Sequence, residues 1–190
     1  MEVTKYRLVE LTEDALDRWE HGKYLSCCIL GRSIFETVLN LEWINYQIQD
    51  FLDGKLSPEE IHKKLMLATH ASRMEDSPLT SVNIMSIIQM IDKRMSNVAG
   101  HGITTNARVY GWFSGFAHPN ADGAFLLYAK INKNSLTIDL SGTMHPIPPT
   151  VAIDFIRLSL SLFELAYSNY ALLFPAFVQK SDELYDHDEG

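Results

Sequence analysis

The feature that most limits how this chain can fold is a long apolar segment without proline. Residues 23–54 read KYLSCCILGRSIFETVLNLEWINYQIQDFLDG, and the terminal glycine is a typical helix stop. Between Leu25 and Ile44 the segment is apolar on almost every side, which is typical of a helix surrounded by other elements. The sequence therefore predicts a central buried helix over about 23–53.

Further helices are predicted on both sides of this segment from apolar residues that recur at helical spacing. The clearest start signal is Ser57-Pro58-Glu59-Glu60, where a serine N-cap, a proline and a glutamate stand in the order of a capping box. The last helix is expected to stop at Pro175. The predicted helices cover about 4–21, 23–53, 57–73, 82–99, 105–118 and 150–174.

A change of pattern follows the fifth helix. The segments FLLYAKI and SLTIDL flank NKN, and their apolar residues fall on alternate positions, as in a β-hairpin. The fold class is therefore mainly α, a helical bundle with a small β-hairpin insertion near 125–140. We expect a single domain over residues 1–178 and an acidic, disordered tail over 179–190.

Composition narrows the range of functions. The 190 residues carry a net charge of −8, which argues against a broad nucleic-acid surface because phosphate binding needs clustered cations. No apolar run is long enough to span a membrane and no apolar leader is present, so we expect a cytoplasmic protein without membrane contact. Cys27 and Cys28 are adjacent and predict buried reduced thiols. No metal or cofactor motif is present, and none is expected.

Two charged residues interrupt the central apolar segment. Arg32 and Glu36 are four positions apart, share a helix face, and are the only charges from Leu25 to Leu41. Because an isolated buried charge is costly, each needs a partner. The pair is either an internal ion pair that orients the core or part of a polar pocket.

The stretch GWFSGFAHPN, residues 111–120, ends a small-residue helix on a histidine. Gly111, Ser114, Gly115 and His118 share one face, and two glycines four apart in a helix suggest close approach of a neighbour, here the central helix. Pro119 places His118 at the C-terminal end of the helix. His118 is either a cap bonded to buried polar groups or a catalytic or ligand-binding group.

These residues carry a resemblance. Arg32-x-x-x-Glu36 in a long apolar helix, followed by Tyr110-x-x-Phe113-Ser114-x-x-x-His118-Pro119, resembles uncharacterised bacterial helical proteins related to the HEPN superfamily. The similarity covers about residues 20–125. It implies a helical bundle, often dimeric, in a superfamily where many members are metal-independent ribonucleases of defence or toxin–antitoxin systems and others are binding or scaffolding modules.

The resemblance suggests where chemistry would lie. Metal-independent RNA cleavage needs an acid–base group and a cation for the phosphorane, roles that His118 and Arg32 can fill, with Glu36 positioning Arg32 and Tyr110 orienting substrate or ring. The superfamily's enzymes use an arginine and a histidine a few residues apart. His118 lacks such a partner, whereas Arg94 and His101 have six residues between them and are weaker candidates.

Two functions remain open. The first is a HEPN-like protein of bacterial defence or toxin–antitoxin type that acts as an endoribonuclease on RNA at a local site. The alternative is a non-catalytic helical module that binds an antitoxin, another partner protein or a small ligand through Arg32, Glu36 and His118. A homodimer is implied by the resemblance in both cases.

Overall fold

The computed structural model describes residues 2–69, 82–118, 130–132, 134–135, 137–139 and 150–186. The chain is mainly α-helical and its architecture is a helical bundle, in agreement with the sequence. The helices are α1 (Glu2–Glu20), α2 (Tyr24–Leu52), α3 (Pro58–Thr69), α4 (Ile84–Ala99), α5 (Thr105–Ala117) and α6 (Thr150–Asp186). None of the helices in the described part of the chain is long and apolar enough to cross a lipid bilayer.

Local signals place several helix ends where the sequence predicts them. The capping box of α3 is formed, since Ser57 Oγ accepts from the Glu60 N–H at 3.2 Å and a Glu60 carboxylate oxygen accepts from the Ser57 N–H at 2.8 Å. Gly54 and Gly100 follow α2 and α4 with φ of 74° and 73°. Glycine adopts this left-handed conformation without strain, so both residues end their helices.

The predicted end of the last helix is wrong. Helix α6 continues through Pro175 and ends at Asp186. Residues 179–186 therefore belong to a helix, and the disordered tail predicted from residue 179 is corrected for these positions. Residues 187–190 lie outside the described part of the chain.

Contacts to the end of α2 explain why α6 continues beyond its proline. Lys180 Nζ donates to the carbonyl oxygens of Phe51 and Leu52 at 2.9 and 3.0 Å. The rings of Phe51 and Phe177 pack edge to face with centroids 5.5 Å apart. These contacts stabilise the last turns and offset the cost of Pro175, on the order of 3 kcal/mol in a helix interior.

Two short strands lie between α5 and α6. Strands β1 (Lys130–Asn132) and β2 (Thr137–Asp139) pair antiparallel, with Ile131 opposite Ile138. The hairpin is predicted near 125–140, and residues 125–129, 133, 136 and 140 of that region lie outside the described part of the chain.

The chain divides into two compact units, Met1–Thr37 with Thr104–Leu160 and Val38–Ile103 with Ser161–Gly190. The single domain expected over residues 1–178 stays a prediction, because such a division does not show whether either unit folds alone. Large buried side chains of the first unit are Ile34, Phe35, Phe113 and Ile156. Those of the second are Leu41, Ile48, Phe51, Ile88 and Ile91.

Close packing between α2 and α5 in the first unit occurs at an unexpected glycine. A Cβ on Gly31 of α2 would lie 2.5 Å from Cε1 of the fully buried Phe113 ring of α5. A Cβ on Gly111 would have nothing within 4 Å. The predicted close approach of the central helix is therefore wrong at Gly111, whereas at Gly115 it stays a prediction. The close contact lies at Gly31 of α2, against the Phe113 ring of α5.

Candidate functional site

Arg32 of α2 is the centre of a polar network formed by three of the predicted site residues. Its Nε donates to Glu36 Oε1 at 2.8 Å, and its Nη2 donates to Tyr110 Oη at 2.6 Å. The guanidinium carbon lies 5.0 Å from the centroid of the Tyr110 ring, within the range of a cation–π interaction. Helices α2 and α5 thus position the network together within the first unit.

The network is only partly buried. The side chains of Arg32 and Glu36 are 23% and 36% exposed to solvent, whereas Tyr110 is buried. Burial opposes the charge on Arg32, but the hydrogen bond and charge of Glu36, helped by Tyr110, raise the pKa of Arg32 overall. The guanidinium is therefore charged at any physiological pH, and the neighbouring carboxylate compensates its charge.

Arg32 retains hydrogen-bonding capacity toward a ligand. A guanidinium carries about five N–H groups. The contacts with Glu36 and Tyr110 use only part of them, and the rest have no hydrogen-bond partner within the described residues. The site therefore presents a fork of donors beside a carboxylate acceptor.

His118 stands apart from this network. It is the C-cap of α5, with φ of −98° and ψ of 147°, and its backbone N–H donates to the Ser114 carbonyl oxygen at 3.2 Å. Its exposed side chain has no hydrogen bond or ion pair with Arg32, Glu36 or Tyr110, all of which the structure describes. Tyr110 and His118 are about 12 Å apart along the axis of α5.

The structure tests two predictions for His118, its position at the end of the helix and its role as a cap. Its place at the C-terminal end of α5 is confirmed, and the extended backbone is what a following proline favours, although Pro119 lies outside the described residues. A cap whose ring bonds buried polar groups is not found among the described residues, because the side chain is exposed.

The two weaker candidates, Arg94 and His101, both lie in the second unit. Arg94 of α4 forms an ion pair with Asp50, and its guanidinium carbon lies 4.6 Å from the centroid of the Tyr46 ring. His101 is exposed, and its Nδ1 lies 3.0 Å from the Ala99 carbonyl oxygen. Within the described chain, Arg94 and His101 share no hydrogen bond or ion pair.

Sequence reasoning missed the groove around Arg94. This groove of the second unit has a cavity volume of about 810 Å³. Its lining residues come from α2, the turn after α2, α4 and the loop after α4. No local sequence motif predicts that these segments meet. The lining residues include Tyr46, Asp50, Lys55, Arg94, Met95, Val98 and Ile103.

Charges in this groove are largely paired. Lys55 Nζ lies 2.8 Å from an oxygen of Asp53 and 3.4 Å from one of Asp50. Burial, reinforced by Glu42, raises the pKa of Tyr46 to about 12, so its phenol is protonated at neutral pH. The charged groups that line this groove, Asp50, Lys55 and Arg94, thus form ion pairs with one another or with Asp53.

The thiols behave as the sequence predicts. Cys27 and Cys28 are free and buried. Burial raises the pKa of Cys27 to about 11, and burial together with the neighbouring Cys27 raises that of Cys28 to about 12. Both are inert thiols at neutral pH.

Among the described residues, no group of three or more His, Cys, Asp or Glu side chains is arranged to hold a metal ion.

Comparison with protein-family models, with curated proteins and with solved structures gave no match for this chain.

Proposed function

We propose that this chain is a HEPN-like helical protein of bacterial defence or toxin–antitoxin type that works as a non-catalytic binding module. Arg32, Glu36 and Tyr110 recognise a partner protein or a small ligand in this proposal. The observation that carries it is the separation of His118, the candidate acid–base group, from a cation that Glu36 already compensates. The helical architecture and the residue pattern from Arg32 to His118 support the HEPN-like assignment.

The chemistry of the site favours binding over cleavage. RNA cleavage needs a base at the 2′-hydroxyl and an available cation at the same phosphate. Glu36, 2.8 Å from the Arg32 Nε, weakens the attraction of Arg32 for phosphate, and the net charge of −8 adds repulsion. A donor fork beside a carboxylate instead suits an uncharged group that both donates and accepts, such as an amide.

Metal-independent endoribonuclease activity is the second candidate, and one observation favours it. The N–H groups of Arg32 that remain unbonded within the described residues form a fork suited to bidentate phosphate binding. His118 would then act as acid and base, while Glu36 and Tyr110 hold Arg32. The two candidates differ in the role of His118, so one variant separates them.

Substitution of His118 tests cleavage. We expect the purified wild type and His118→Ala to leave bacterial RNA intact in the presence of a metal chelator, because His118, the candidate acid–base group, has no hydrogen bond or ion pair with Arg32 or Glu36 within the described residues. Expression of either is expected to leave growth unchanged. RNA degradation or growth arrest that occurs with the wild type and disappears with His118→Ala would replace the binding proposal by the ribonuclease.

Substitution of Arg32 tests binding. Tagged wild-type chain isolated from its native cells is expected to retain a bound polypeptide or small molecule, identified by mass spectrometry, that Arg32→Gln loses. Arg108→Gln is the matched control, since it removes an exposed arginine of α5 outside the network. Circular dichroism checks that both variants are folded. Equal retention by both variants would contradict recognition through Arg32.

A further inference from the structure

The second unit contains an apolar cavity between three helices. Its walls come from the last turn of α2, from α3 and from the end of α6 beyond Pro175, and its volume is about 240 Å³. The apolar lining residues are Phe51, Pro58, Ile61, Leu65, Phe177 and Leu184. Phe51 and Ile61 are buried, whereas Leu184 is exposed, so the cavity opens to solvent on the side of Leu184.

Contacts around the cavity hold its walls in place. Lys180 Nζ joins the end of α6 to the carbonyl oxygens of Phe51 and Leu52, which end α2. The capping box between Ser57 and Glu60 fixes the first turn of α3. The cavity is therefore formed before a ligand enters, and a preformed site binds its ligand at a lower cost in conformational entropy.

The volume and the walls of the cavity suit a single aromatic ring. An apolar cavity of about 150 Å³ can hold benzene. A volume of about 240 Å³ therefore leaves room for one ring with a small substituent. The rings of Phe51 and Phe177 pack edge to face in the wall, and a third ring against them gains attraction beyond the burial of its area. Water gains little here, because apolar walls offer it no hydrogen bonds.

The serine hydroxyl is the polar group that a ligand ring can reach. Among the described residues that line the cavity, Ser181 and His62 have polar side chains. Ser181 Oγ donates to the Phe177 carbonyl oxygen at 2.8 Å, so toward a ligand it can only accept. His62 is exposed, and water competes for its ring nitrogens. A ligand therefore needs a hydrogen-bond donor directed at Ser181.

The charge of the lining decides the class of ligand. None of the described residues that line the cavity is Asp, Glu, Lys or Arg. A charged ligand would lose its hydration there without gaining an ion pair. We propose that the cavity binds a neutral phenol with a single ring, whose hydroxyl donates to Ser181 Oγ. The cavity belongs to the second unit and the Arg32 network to the first, so separate variants test this site and the proposed function.

Phenol itself is the probe for this site. We expect titration of the full chain with phenol, followed by NMR, to saturate with a dissociation constant of about 1 mM or lower. The methyl signals of Ile61, Leu65 and Leu184 should shift, because these residues line the cavity. Benzoate has the same ring but carries a charge, and it is expected to bind at least about tenfold more weakly than phenol.

Two variants test the hydroxyl contact and the cavity. Ser181→Ala is expected to raise the dissociation constant of phenol about fivefold and to leave that of benzene unchanged, because benzene has no donor. Ser168→Ala, at an exposed serine of the same helix, is the control. Leu184→Trp places a larger ring at the open side and is expected to weaken both ligands at least about tenfold. Its control is Leu172→Trp, at an exposed leucine that does not line the cavity.

Four results would overturn the proposal. The first is a titration with phenol that does not saturate or that leaves the cavity signals unshifted. The second is benzoate binding as tight as phenol binding, which would exclude a neutral ligand. The third is a Ser181→Ala variant that binds phenol as the wild type does. The fourth is phenol binding that Leu184→Trp, shown to be folded by circular dichroism, leaves unchanged.

Discussion

Arg32 shows how a charge is accommodated in an otherwise apolar helix. Glu36 compensates it at a distance of 2.8 Å one turn later, and the Tyr110 hydroxyl accepts a further hydrogen bond. The Glu36 contact follows from a spacing of four residues and is predictable. The contact with Tyr110 joins residues 78 positions apart, so only folding brings this pair together.

At the residue scale, the two glycines that face different surroundings give opposite predictions. Gly31→Ala is expected to destabilise the fold by about 1–3 kcal/mol, because its Cβ would lie 2.5 Å from the Phe113 ring. Gly111→Ala, whose Cβ meets nothing within 4 Å, is expected to stabilise helix α5 by about 0.5–1 kcal/mol. Urea denaturation of the two variants measures both signs, and a neutral Gly31→Ala would mean that the ring can move aside.

At the element scale, α6 shows that tertiary contacts can override a local stop signal. Proline removes one backbone hydrogen bond and clashes with the preceding turn. The helix nevertheless continues for residues 176–186, which carry Phe177 and Lys180 onto the end of α2. The sequence contains both the stop signal and the residues that overcome it, but their partners lie about 130 positions earlier in the chain, at Phe51 and Leu52.

Removal of the Lys180 cation is expected to fray the end of α6. Lys180→Met deletes the donor to the last carbonyl groups of α2, an interaction on the order of 1–2 kcal/mol. Hydrogen exchange of backbone amides in residues 176–186 should therefore accelerate, while α3 amides are unchanged. Lys180→Arg keeps a cation and is the control. Unchanged exchange in Lys180→Met would assign the stability of this segment to the Phe51–Phe177 packing alone.

At the scale of the whole molecule, the buried thiols make the free energy of unfolding depend on pH in the alkaline range. The pKa of Cys27 rises from 9.0 in the unfolded chain to about 11 in the folded one. The folded state therefore holds a proton that the unfolded state loses, and stability that is fully present below pH 9.0 is lost as the pH rises through about 11. The free energy of unfolding should fall over this range.

The contribution of Cys27 is obtained by difference. Cys27→Ala removes the titrating group, so the free energy of unfolding of the variant should fall less between pH 9.0 and about 11 than that of the wild type. Denaturant titrations at the two ends of this range provide the comparison. Parallel curves for the two proteins would show that the thiol is ionised as readily in the folded state as in the unfolded one.

The sequence by itself determined the helices and several of their ends, as well as the Arg32–Glu36 pair. These features depend on residues within one or two turns, such as Ser57 with Glu60, and local interactions can be read directly from spacing. Only the tertiary structure decided that α6 passes Pro175, that Gly31 rather than Gly111 admits a neighbouring helix, and that His118 lies away from Arg32. Each of these depends on which distant side chains meet after folding, and the order of residues along one helix does not contain that information.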